Sequence, residues 1–161
     1  MSTRSPPAIE VIIEDPRWRA EPDALALMKR AGKLALARGA KAPPARPALT
    51  LLLTDAARLR ALNAQFRGQD KPTNVLSFPA ADETGYLGDV AIAFDVVRAE
   101  AEAQRKDFAA HGAHLCAHGV LHLLAYDHEN EEQAVVMESL ETAILAALGL
   151  PDPYAWTGRA A

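Results

Sequence analysis

The stretch Gly88-Asp89-Val90-Ala91-Ile92-Ala93-Phe94-Asp95 divides this chain of 161 residues into two kinds of pattern. Gly88 to Phe94 is apolar enough for a strand, and Asp95 then supplies an N-cap for a helix. Beyond it almost every segment has helical periodicity: about 95 to 106, about 107 to 125 and about 130 to 148. The last of these carries apolar Ala134, Val135, Met137, Leu140, Ile144 and Leu145, and Gly149-Leu150-Pro151 stops it. Before Gly88, strands and helices alternate. Ala8 to Glu14 contains Val11-Ile12-Ile13 and closes at Asp15-Pro16, with Trp18 in the connection. Asp23 to Arg38 reads as a helix with Gly39 as its C-cap, and Lys41 to Pro47 as a Pro-rich loop. Leu49 to Leu53 is a short buried strand, and Thr54 or Asp55 caps a helix running to about Phe66. Thr73 to Phe78 is a further strand, joined to Gly88 by a loop containing Pro79, Asp82, Gly85 and Tyr86.

This order predicts one α+β domain, a small mixed sheet of about four strands packed against about five helices. Its expected bounds are residues 8–150, with a disordered lead-in at 1–7 and a tail at 151–161. Half the residues are hydrophobic, which suffices for a substantial core, and no apolar run reaches membrane-spanning length. Met1 to Ala8 lacks the apolar region of a signal peptide, so a cytoplasmic location is expected. The single Cys116 has no partner for an internal disulfide, which fits a reducing compartment.

The formal net charge of -4 conceals an asymmetry. Residues 1–71 carry thirteen Lys and Arg against seven Asp and Glu, whereas residues 72–161 carry four against fourteen. A basic patch on an acidic protein is therefore possible, and phosphate recognition depends on the patch more than on the total. A solvated helix face with scattered arginines accounts for the same count.

Chemistry concentrates in His118-Gly119-Val120-Leu121-His122-Leu123-Leu124-Ala125-Tyr126-Asp127-His128. His118 and His122, four apart, share one helix face and can aim both imidazoles at one ion. His128 joins them if the chain turns back, placing the metal site at the end of a late helix. Three neutral nitrogen ligands with a fourth position left to water suit a catalytic zinc ion, although imidazole also serves nickel, copper and iron. Cys116 should face away from the His118 and His122 side. His114, one turn before His118, is expected to pack or to support a ligand. His111 carries no assignment.

Two families share this pattern. The histidine spacing equals that of the metzincin proteases, HExxHxxGxxH, but their general base falls on Gly119, which has no group to accept a proton. The other likeness extends over most of the chain. His118 to His128 resembles the HGxLHLxGYDH signature of the YbeY family. Leu62-Asn63-Ala64-Gln65-Phe66-Arg67-Gly68-Gln69-Asp70-Lys71-Pro72-Thr73-Asn74-Val75-Leu76-Ser77-Phe78-Pro79 resembles that family's LNxxFRGxDxPTNVLSFP segment, and Leu87-Gly88-Asp89-Val90-Ala91-Ile92 its LGDIxI strand. One departure stands out: Ala125 occupies a position where the family usually has glycine. If the backbone there takes φ > 0, alanine costs about 1 kcal/mol.

The resemblance implies a metal-dependent, single-strand-specific endoribonuclease that hydrolyses phosphodiester bonds in ribosomal RNA. Its context would be 16S 3′-end maturation and ribosome quality control, with the small ribosomal subunit and associated assembly factors as partners. His118, His122 and His128 would hold one zinc ion per chain, His118 thereby belonging also to the catalytic group. Arg67, marked by the family motif, would clamp phosphate through its guanidinium fork. Asp127 could orient a ligand or accept a proton, or else cap the following helix. Asn74 and Ser77 could bond sugar or phosphate, or the adjacent backbone. Arg58, Arg60 and Lys71 would complete an RNA-binding face with Arg67. The alternatives are a zinc-dependent protease or amidohydrolase, and a non-catalytic, metal-stabilised RNA-binding factor of ribosome assembly.

Overall fold

The computed structural model describes residues 8–40, 48–68, 73–80 and 85–155, with Arg67 described by its backbone alone. The expected lead-in, the Pro-rich loop and Lys71 lie outside the described residues. Four strands, β1 (Ala8–Ile13), β2 (Ala48–Thr54), β3 (Val75–Pro79) and β4 (Tyr86–Ala93), form one sheet in the order β1-β2-β4-β3. The helices are α1 (Pro22–Gly39), α2 (Ala56–Arg67), α3 (Phe94–Gln104), α4 (Phe108–Leu123) and α5 (Glu131–Ala147). β1, β2 and β4 run parallel, and β3 pairs antiparallel with β4 at the edge. The expected α+β architecture is what forms.

Alternation along the strands decides which helix covers which face. Leu49, Leu51, Leu53, Val90 and Ile92 are buried in the main core with α1 and α4. Ala91, Ala93 and Leu76 point the other way, into a smaller core with Leu59 and Leu62 of α2. Complete burial of a leucine side chain contributes roughly 1.5–3 kcal/mol. The α4 side, with more of the large buried side chains, therefore carries most of the stabilisation.

Helix α4 reaches the sheet through a missing side chain. A Cβ placed on Gly119 would lie 2.5 Å from Val90 Cγ1 and 3.2 Å from Val75 Cγ2. At the same point Ser77 Oγ donates a 2.8 Å hydrogen bond to the Gly119 carbonyl, tying α4 to β3. Gly88 makes a second tight approach at the irregularity of β4. Its φ is +134°, and a Cβ there would lie 2.1 Å from the Phe78 carbonyl oxygen.

Two local expectations, the caps at Asp95 and Gly39, differ from the structure. Asp95 does not cap its own helix: α3 begins at Phe94, so Asp95 falls inside the first turn, and its Oδ1 accepts from the Ala56 N–H of α2 at 2.8 Å. Gly39 is the last residue of α1, not its C-cap; Ala40 leaves the helix with extended geometry, φ -71° and ψ 119°. The connection at Trp18 is a 3-10 turn, Pro16–Ala20, capped by Asp15. Trp18 is fully buried there, stacks edge-on against Phe94, and donates from Nε1 to the Thr54 carbonyl at 3.1 Å.

Gly119→Ala gains about 1 kcal/mol of helix propensity but forces a methyl against a β-branched core residue, at a cost of about 1–3 kcal/mol. A net loss of about 1 kcal/mol is expected, visible as a lower urea midpoint with unchanged slope.

Candidate metal centre

His118 and His122 lie one turn apart on α4, both half-buried, and their Nε2 atoms are 3.1 Å from each other. His128 comes from the loop after the helix, its ring centroid 5.5 Å from that of His118 and 5.2 Å from that of His122. One nitrogen from each ring lies within 4.8 Å of the other two. Nitrogens bound tetrahedrally at 2.0–2.1 Å are separated by about 3.3 Å, so a small adjustment of these rings suits a divalent ion. Burial, reinforced by the neighbouring His118 and His128, holds the His122 imidazole below the usual histidine range, toward the neutral form that ligation requires.

The return of His128 depends on how α4 ends. The Ala125 N–H bonds the His122 carbonyl and the Tyr126 N–H bonds the Leu121 carbonyl, both at 3.0 Å, the two bonds of a Schellman motif. The left-handed residue that this motif requires is Ala125, with φ +74°. The condition under which alanine carries a cost at this position is therefore met. Tyr126 then anchors the reversed chain by donating its hydroxyl to the Gly39 carbonyl at 2.8 Å. Two backbone bonds and this anchor outweigh a left-handed alanine, which costs roughly 1–2 kcal/mol.

Behind the histidines lies a group that composition and spacing had not singled out. Glu141 of α5 is fully buried, with Oε2 3.0 Å from His118 Nδ1 and Oε1 bonded to His114 Nε2 and, at 2.6 Å, to the Tyr154 hydroxyl. Burial alone would raise its pKa, but the donors from His114 and His118 prevail and bring it down to about 2. An ionised carboxylate only accepts, so His118 Nδ1 carries the proton and its Nε2 lone pair faces the cluster. A signal for Glu141 was present: it takes a position on the apolar stripe of α5 with Met137, Ile144 and Leu145. Tyr154 lay in the segment set apart as a tail, yet 151–155 pack back onto the domain and Pro153 is buried.

The remaining candidates separate by position. His114 is committed through Nε2 to Glu141, in keeping with a supporting role, and His111 through Nε2 to Glu100 at 2.9 Å. Cys116 is buried on the α1 side near Gly32, away from the ligands, and burial pushes its thiol up to about 12. Asn74 and Ser77 line the same cleft of about 720 Å³ as His118, His122, Asp127 and His128. Asn74 Nδ2 donates to Glu100 at 3.1 Å, while the Ser77 hydroxyl holds Gly119. Asp127 does not cap α5, because Asn130 does so by accepting from the Gln133 N–H. Its Oδ1 accepts instead from the His128 N–H at 2.8 Å, and this bond holds the carboxylate below its usual range. Arg58 and Arg60 are exposed on α2, which covers the opposite sheet face from α4, so the fold does not bring them to the cleft. Arg58 is 3.5 Å from Glu14, just after the far edge strand β1. Arg67 ends α2 shortly before Thr73 of the cleft; its side chain lies outside the description.

The protease alternative loses further ground here. The position that would carry its base is packed against Val90 and Val75, so a longer side chain has no path there to a bound water. Restoring glycine at Ala125 should relieve the left-handed strain, less the extra freedom of the unfolded chain. Ala125→Gly is expected to stabilise by about 0.5–1 kcal/mol in urea unfolding, with metal uptake retained.

The family model described as endoribonuclease YbeY matches residues 18–149. Among curated relatives, the endoribonuclease YbeY of Bradyrhizobium diazoefficiens is 46% identical, covering 96% of this chain and 89% of its own. That of Rhodopseudomonas palustris CGA009 is 49% identical, covering 99% and 87%. The solution structure of TM1509 from Thermotoga maritima is similar in fold, with a TM-score of 0.54 at 22% identity over 88% of this chain and 91% of that one. A family model spanning most of the domain and relatives nearly half identical along almost the entire length establish that this chain belongs to the YbeY family of endoribonucleases.

Proposed function

We propose that the protein is a zinc-dependent endoribonuclease that cuts single-stranded ribosomal RNA, in 16S 3′-end maturation and ribosome quality control. Its partners would be the small ribosomal subunit and associated assembly factors, in the cytoplasm. The observation that carries the proposal is the convergence of one nitrogen each from His118, His122 and His128 on the floor of an open cleft. No helix among the described residues is long and apolar enough to cross a membrane. The functional domain spans residues 8–150, with the following strap up to Tyr154 attached to it.

His118, His122 and His128 would hold the ion, which when bound supplies Lewis acidity and lowers the pKa of a water. The protein groups have separate tasks. The exposure of His128 leaves the site open on one side, where a phosphodiester can approach. Arg67 would lay its planar guanidinium against two phosphate oxygens and stabilise the charge added in the transition state. Lys71, in the segment after α2, would add a point charge along the strand. Asp127, at the rim, is the candidate to accept a proton from the attacking water. Asn74 remains a candidate for sugar contacts, whereas Ser77 acts chiefly through the backbone of α4.

The test pairs elemental analysis with cleavage of a single-stranded rRNA fragment by wild type, His122→Ala and Arg67→Ala, each purified free of nucleases. About one zinc per wild-type chain is expected. His122→Ala should lose both metal and cleavage. Arg67→Ala should keep the metal and lose about a hundredfold or more in rate, as for removal of a donor to a developing oxyanion. Metal without cleavage in every form would instead favour the non-catalytic RNA-binding factor.

A further inference from the structure

We infer that Glu141, held in place by Tyr154, is the positioning residue that sets the tautomer and orientation of His118. The assignment deepens the metal reading above and rests on it. Three donors converge on this carboxylate: His118 Nδ1, His114 Nε2 and the Tyr154 hydroxyl. A fully buried carboxylate with that many partners has little freedom to rotate, so its Oε2 fixes the plane of the His118 ring as well as its proton. The proton on Nδ1 leaves Nε2 as the only basic nitrogen, directed at His122 Nε2 and the cleft. A carboxylate behind a ligating histidine is a general device for fixing its tautomer and ring orientation.

Tyr154 connects the device to the end of the domain. Its hydroxyl caps Oε1, its backbone N–H bonds Asp152 Oδ1 at 2.8 Å, and Lys106 Nζ bonds the Pro153 carbonyl at 2.9 Å. The strap after α5 is thus fastened to α5 and to the α3–α4 connection, with its tyrosine on the carboxylate. Removing the tyrosine hydroxyl leaves Oε1 with His114 alone and loosens the geometry that His118 senses.

The experiment measures zinc affinity by competition with a chromophoric chelator in full-length wild type, Glu141→Gln and Tyr154→Phe. Imidazole nitrogen NMR of the metal-free proteins reads the His118 tautomer, and far-UV circular dichroism checks the fold. Wild type should show His118 protonated on Nδ1. Glu141→Gln should bind zinc about 10–100-fold more weakly and populate the Nε2–H form. Tyr154→Phe, which removes one hydroxyl from an exposed residue, should lose about three- to tenfold, the weight of one hydrogen bond. Affinities of folded variants within about twofold of wild type, or a wild-type His118 protonated on Nε2, would overturn the role of Glu141. If Glu141→Gln does not fold, Tyr154→Phe decides by the same criterion. A wild type that takes up no zinc overturns the metal reading itself, while the tautomer in the metal-free protein still decides what Glu141 does to His118.

Discussion

The close contact of α4 with the sheet at Gly119 is the constraint on which the other parts of the molecule depend. Val90 and Val75 occupy the space where a side chain at 119 would stand, and Ser77 bonds the carbonyl at the same point. Helix α4 can therefore sit down on β3 and β4 while α1 and α5 pack around it and α3 adjoins it. Of its histidines, His118 and His122 remain only half-buried because they lie on the side turned toward the cleft between α4 and β3. A glycine that seems to deprive the site of a base is, physically, what lowers the helix of the histidine cluster into place.

The end of α4 shows a compromise of a different kind. Its Schellman motif requires a left-handed residue, and this chain uses alanine where glycine would be unstrained. The conformation persists because the flanking backbone bonds and the Tyr126 anchor over-determine it. The histidine farthest along the sequence thus joins the other two by helix termination, with the strain confined to one residue. His128 is exposed, so the ligand delivered by this turn also forms the open side of the site.

Electrostatics follow from the same layout. Uncompensated, a buried carboxylate costs several kcal/mol. Glu141 escapes most of that cost because each oxygen receives at least one hydrogen bond, two of them from imidazoles. The result is a fixed negative charge behind a site built for a cation, with a second carboxylate, Asp127, at its rim. Among the described residues, no lysine or arginine lines that cleft. The described lining of the cleft is therefore acidic and neutral.

Much of this was legible in the chain itself. Strands of branched and aliphatic residues, helices with apolar stripes, and turns at Asp15-Pro16 and Gly149-Leu150-Pro151 follow from local preference, so element order and α+β class could be read directly. The i, i+4 spacing of His118 and His122 is likewise a property of any helix. Other features depended on atoms distant in sequence. Asp95, inside the first turn of α3, accepts from the Ala56 N–H of α2, Arg58 and Arg60 fell on the far face of the sheet, and Glu141 met His118 only because α5 packs beside α4. The sequence by itself determined which side chains can bind a metal and on which elements they ride, because helix and strand periodicity are local. Tertiary structure alone decided which of its charged groups meet, because hydrogen bonds and ion pairs depend on distances that no local pattern sets.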